Sequence, residues 1–103
     1  MPGAKVVFHR LAGQEYDRVK KSYGAQRAGL DADFEAELNR AVERIAANPL
    51  GGAAYRKRFR WVRVRRFSYV LYYFVIDPSQ VLVLALAHAR RRPGYWIGRL
   101  HRP

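Results

Sequence analysis

A chain of 103 residues, half of them hydrophobic, is long enough for one packed core and too apolar for a disordered segment. It has no cysteine, which excludes disulfides and thiolate metal sites and fits a reducing compartment. The net charge is +12; no apolar run approaches the ~20 residues of a membrane helix or forms a signal peptide, so one soluble cytoplasmic domain over residues 1–103 is expected.

Lys5 to Phe8 reads as a short first strand. Leu11, Ala12, Tyr16, Val19 and Tyr23 recur at helical spacing and predict an amphipathic helix from about Leu11 to Ala25. Gly29 breaks it. Asp31 is the expected N-cap of a second helix, with Asp33, Glu35 and Glu37 near its positive end. Phe34, Leu38, Ala41, Val42 and Ile45 form its buried stripe; Asn48-Pro49 stops it, and Gly51-Gly52 loosens the chain. So short a connection predicts an antiparallel helical hairpin packed on a sheet.

The second half is strand-like. Phe59 to Arg65 alternates basic residues with β-formers, and the alternation slips between Trp61 and Val62, which predicts a bulge there. Two apolar runs follow, Phe67–Ile76 and Val81–Ala87, joined by Asp77-Pro78-Ser79-Gln80, a turn with proline pre-set at its second position. Their continuous apolarity predicts strands covered on both faces. The expected fold is α+β: a two-helix hairpin on a mainly antiparallel four-stranded sheet, in the order β-α-α-β-β-β, closed by a short C-terminal helical turn.

Charge is distributed unevenly. Residues 1–43 hold seven basic and seven acidic side chains, whereas residues 44–103 hold thirteen basic ones against Asp77 alone. An arginine-rich surplus on one half points to a polyanion partner: RNA, DNA or an acidic protein. The bland alternative is a solvated face.

The order and spacing of several pieces resemble the RelE/ParE superfamily of type II toxin–antitoxin toxins, often called plasmid stabilisation proteins. The pieces are Val7-Phe8 leading into Glu15-Tyr16 and Tyr23, then Phe34-x-x-x-Leu38 running to Ile45-x-x-Asn48-Pro49. Next come Arg65-Arg66-Phe67-Ser68-Tyr69-Val70-Leu71-Tyr72-Tyr73 and His88-x-Arg90-Arg91-x-Pro93-x-Tyr95-Trp96-x-x-Arg99. Ser68 stands where the family usually has proline. The resemblance implies a RelE-like fold and a growth-inhibiting toxin. A cognate antitoxin would neutralise it by laying its tail over the helices and the basic sheet. One branch of the family cleaves mRNA on the ribosome; another poisons DNA gyrase and lacks the nuclease residues.

Metal-free RNA cleavage needs a proton acceptor, a proton donor and cations around one phosphate. His88 is the best proton-transfer candidate by its ordinary titration range, against the reading of a strand-end histidine with local bonds. Arg63, Arg65 and Arg90 are candidate phosphate clamps. Tyr95 can serve as acid or stack on a base, and Trp96 can stack, each against the reading of a C-terminal plug. Arg58, Arg60, Arg65, Arg91 and Trp96 complete the candidate nucleic-acid contacts.

The resemblance matches Arg90 and Tyr95 to the arginine and tyrosine that follow the last strand in the nuclease branch. Two features depart from that branch. Its strand lysines are represented here only by Lys57, with Arg58, Arg60 and Arg63 instead, and the only acid between Arg44 and Trp96 is Asp77. A strand-end histidine such as His88 also occurs in gyrase-directed relatives. His9 and His101 have no companions and are expected to be incidental. Three scattered histidines make no ligand set, so no metal, small-molecule cofactor or membrane partner is expected. Three functions follow, in order of preference. The first is a ribosome-dependent mRNA endonuclease, which requires His88, Arg63 and Arg90 to converge on one face. The second is a gyrase inhibitor without a catalytic centre, in which they diverge. The third is a plain basic nucleic-acid-binding module.

Overall fold

The computed structural model describes residues 3–102. The expected α+β class holds, but the sheet has five strands and is mixed. Strand β1 (Lys5–Phe8) leads into α1 (Arg10–Gln26) and α2 (Leu30–Ala47). Strands β2 (Ala53–Tyr55), β3 (Phe59–Val64), β4 (Tyr69–Asp77) and β5 (Gln80–His88) follow, then a short 3-10 turn, Ile97–His101. The spatial order is β1-β5-β4-β3-β2. The first strand lies parallel to β5, and the other pairings are antiparallel. The helices fill the connection between β1 and the rest, which is what lets β1 enter the sheet in parallel sense.

The unforeseen strand is β2. Gly51-Gly52 reads as loose chain, yet it is tied down: the Gly52 N–H donates to Tyr73 Oη (3.1 Å), and Tyr73 Oη donates to the Pro49 carbonyl (2.7 Å). A side chain on Gly52 would collide with Tyr73 Oη, so glycine is required there by close approach.

Helix α2 begins one residue before the expected cap. Gly29, at φ 88°, occupies the N-cap, and its carbonyl accepts from the Asp33 N–H (3.1 Å). Asp31 and Asp33 fall within the first turn, where their charge suits the helix end. Helix α1 is capped by His9, which is buried rather than incidental. Its Nδ1 accepts from the Leu11 N–H (3.1 Å), and its Nε2 donates to the Arg102 carbonyl (2.8 Å). One ring thus joins the start of α1 to the chain's last turn.

The slip between Trp61 and Val62 is not a bulge: β3 pairs in regular register with β4. Both faces of β3 are apolar because both are covered. Val62 and Val64 pack towards the helices; Phe59 and Trp61 pack on the opposite side. The irregularities fall instead in the β4–β5 pairing, between Val75 and Asp77 and between Tyr72 and Tyr73. Tyr72 faces Ala85 and Tyr73 faces Val83, leaving Leu84 as the extra residue. Leu84 and Ala85 therefore both join the core opposite the helices.

Two cores result. Between helices and sheet lie Ala12, Val19, Phe34, Leu38, Ala41 and Ile45 against Val64, Phe67, Leu71, Tyr73, Val81 and Val83. On the sheet's second face, Phe59, Val70, Tyr72, Leu84 and Ala87 surround Trp96, which the C-terminal segment folds back.

Candidate functional site

Strand β5 delivers His88 to its end, opposite Tyr69 of β4. The two rings meet edge-on, with centroids 5.3 Å apart. Tyr69 in turn packs against Tyr23 and Phe34 of the helices (6.2 and 6.0 Å), so the His88 ring lies on the helix side of the sheet. Its Nδ1 accepts from the Arg90 N–H (3.1 Å). This local bond turns the chain out of the strand and leaves the Arg90 side chain exposed.

Arg63 sits on the other side. It alternates with Val62 and Val64, and it lines a depression of about 140 Å³ with Trp61, Val70, Tyr72 and Ala89. The sheet separates Arg63 from the His88 ring. Arg63 and His88 thus stand on opposite faces near the same end of the sheet.

Tyr95 is bound on two sides. Its hydroxyl donates to Glu15 Oε2 (2.7 Å), and the Arg91 guanidinium lies 3.6 Å from its ring centre. Burial, then the Glu15 carboxylate, push the phenol well above its ordinary range. Trp96 is completely buried and offers no face to a nucleobase. Its indole stacks on Tyr72 (4.6 Å, 29°) and meets Phe59 edge-on (4.9 Å). Of the two readings of Trp96, the C-terminal plug is the one that fits, because the apolar strand faces of the second core need a cover.

The remaining arginines divide between the faces. Arg60 donates to the Gly52 carbonyl (2.9 Å) near the helix side. Arg65 is exposed beside Arg44, whose guanidinium donates to the Arg63 carbonyl. Burial first, then Arg65, pull Arg44 below its ordinary range. Arg58 lies over Phe59 and Phe74 of the second face (5.8 and 5.5 Å). Arg91 joins that face through Tyr95.

Three contributors are missing from the sequence-based set: Glu15, Arg99 and Arg56. Glu15 is buried, yet it falls on the Ala12–Val19 stripe of α1, and a carboxylate on a buried stripe is a readable sign of a buried partner. Its oxygens accept from the Leu86 N–H (3.1 Å), from Tyr95, and from both terminal nitrogens of Arg99 (2.9 and 3.1 Å). Arg99 also donates to the Leu84 carbonyl at the β5 bulge (2.9 Å). Arg56, at φ 54°, lies over Tyr55 (5.4 Å).

Among the described residues, no three His, Asp or Glu side chains gather as a metal-binding group, and no helix is long and apolar enough to cross a membrane. A family model described as the ParE toxin of a type II toxin–antitoxin system, parDE, matches residues 6–93. No curated protein matches.

Proposed function

The chain belongs to the ParE toxin family of type II toxin–antitoxin systems, and from that membership we propose that it arrests growth by binding and inhibiting DNA gyrase rather than by cutting mRNA. A cognate antitoxin is the partner that membership implies.

The separation of His88 from Arg63 carries the reading. Proton transfer and charge stabilisation act on one phosphate only when both groups reach it within hydrogen-bond distance. A ring facing the helices and a guanidinium on the opposite face of the sheet do not share a phosphate. Tyr95, the other candidate acid, has its hydroxyl committed to Glu15 and its proton held tightly. What the second face does offer is a basic and aromatic surface suited to docking on a macromolecule.

The test is gyrase supercoiling of relaxed plasmid with purified toxin, beside primer extension on abundant messages in cells expressing it. We expect loss of supercoiling, accumulation of cleaved plasmid and intact messages, with a His88→Ala/Arg90→Ala variant still inhibitory. Unimpaired supercoiling, together with new mRNA 5′ ends that vanish in that variant, would overturn the reading in favour of the endonuclease.

A further inference from the structure

We propose that the second face of the sheet docks on the sugar–phosphate backbone of duplex DNA through Arg56, Arg58, Arg63 and Arg91. The choice of DNA over RNA rests on the gyrase reading; the contact itself rests on the arrangement of these side chains.

Seven of the eight acidic residues lie on α1 and α2, and the eighth, Asp77, is bonded into the β4–β5 turn through Ser79. The second face is consequently basic without compensation. Among the described residues, none of the four arginines pairs with a carboxylate, unlike Arg40, Arg66 and Arg99. All four are exposed residues.

Three of them are laid against rings of the second core: Arg56 on Tyr55, Arg58 on Phe59 and Phe74, Arg91 on Tyr95. A guanidinium resting over an aromatic ring has lost some freedom in advance, while its N–H groups remain available. Those groups are what fork onto phosphate oxygens. The fourth, Arg63, rims the depression beside the partly exposed Trp61.

Two of the four also follow one strand. Arg58, in the turn before β3, and Arg63, near the end of that strand, stand five residues apart, on the order of 17 Å in extended chain. Duplex DNA presents one phosphate per ~3.4 Å of axis on each strand, so this length meets several of them. Beyond them, Arg56 lies beside Gly94. That residue has φ 97°, and a side chain on it would press on Tyr55 Oη (3.0 Å) with Arg56 Nη2 at 4.0 Å. Glycine there lets the C-terminal turn approach Tyr55 and Arg56 closely. The carboxylates of an acidic protein would answer the same guanidiniums; phosphates in series, as duplex DNA presents them, are the occupant that the gyrase reading selects.

The contact is tested without gyrase, so its failure and that of the gyrase reading are separate results. A fluorescent 20-base-pair duplex is titrated with the full chain by anisotropy between 50 and 200 mM salt. The variants are Arg56→Gln/Arg91→Gln and, as an equal charge loss on α1, Arg18→Gln/Lys21→Gln. We expect the wild-type affinity to fall steeply with salt, with a log–log slope lowered by about 1.8 in the second-face variant at ~0.9 per phosphate contact. Its affinity at 50 mM should drop at least about tenfold, while the α1 variant stays within about twofold. Equal losses in both variants would overturn the proposal, as would absence of binding or tighter binding to single-stranded RNA of the same length. Should the first variant lose its thermal transition, Arg58→Gln/Arg63→Gln replaces it with the same expectation.

Discussion

Glu15 gathers more of the fold at one side chain than any other residue of the described chain. It lies on the buried stripe of α1 with 5% of its surface exposed and is nonetheless ionisable. An isolated carboxylate there would be strongly unfavourable. Here a backbone amide, a phenol and a guanidinium satisfy both oxygens. Removing one member leaves the other buried and unpaired. We expect Glu15→Ala to destabilise by about 3 kcal/mol and Arg99→Ala by a similar amount. A Glu15→Leu/Arg99→Met double variant should recover much of the loss. Urea denaturation measures all three, and strict additivity would show that the pair acts through separate neighbours.

The C-terminal segment after β5 has almost no regular structure, yet it closes the second core. Trp96 plugs the sheet, Arg99 bonds Glu15 and the Leu84 carbonyl, and the Arg102 carbonyl accepts from His9 at the start of α1. Three anchors, to the sheet and to two points of α1, make a short stretch behave as a layer. Trp96 and Arg99 lie beyond the residues matched by the family. A chain ending at Pro93 loses the plug, worth about 3–5 kcal/mol, and leaves Glu15 without its cation. At about 4–8 °C per kcal/mol for a domain of this size, we expect the melting midpoint to fall by more than ~15 °C, or the cooperative transition to vanish. A midpoint unchanged by truncation would mean that the segment merely rests on the surface.

At the scale of the whole molecule, charge is segregated between layers: a hairpin bearing nearly all the acids, and a sheet bearing the surplus arginines. A net charge of +12 on 103 residues stores self-repulsion in the compact state. Salt screens it over a Debye length of ~8 Å at 0.15 M. Stability should therefore rise between 20 and 300 mM sodium chloride, by about 4–8 °C in the melting midpoint for each kcal/mol of repulsion relieved. A falling midpoint in differential scanning calorimetry would instead assign the dominant electrostatic term to the ion pairs, Glu15–Arg99 foremost. The same segregation gives the proposed DNA face its field, since among the described residues no acidic side chain pairs with its arginines.

By itself the sequence determined what is local and periodic. The two helices follow from apolar spacing, the β4–β5 hairpin from its paired runs and the Asp77-Pro78 turn, and the basic surplus from a count of charges. The chain also carried the likeness to the toxin family in the order of its short pieces. Tertiary structure alone decided the rest. The fifth strand exists because Tyr73 pins Gly52, a partner 21 residues away. The bulge at Leu84 changes which residues of β5 face which core. Burial of Trp96 and the commitment of Tyr95 depend on strands and a helix distant in sequence. Above all, whether His88 and Arg63 share a face is fixed by pleat parity through β3, β4 and β5. Side chains alternate sides at each residue, and one extra residue at Leu84 reverses the count, so the site's geometry is a property of pairing register that composition and motif do not contain.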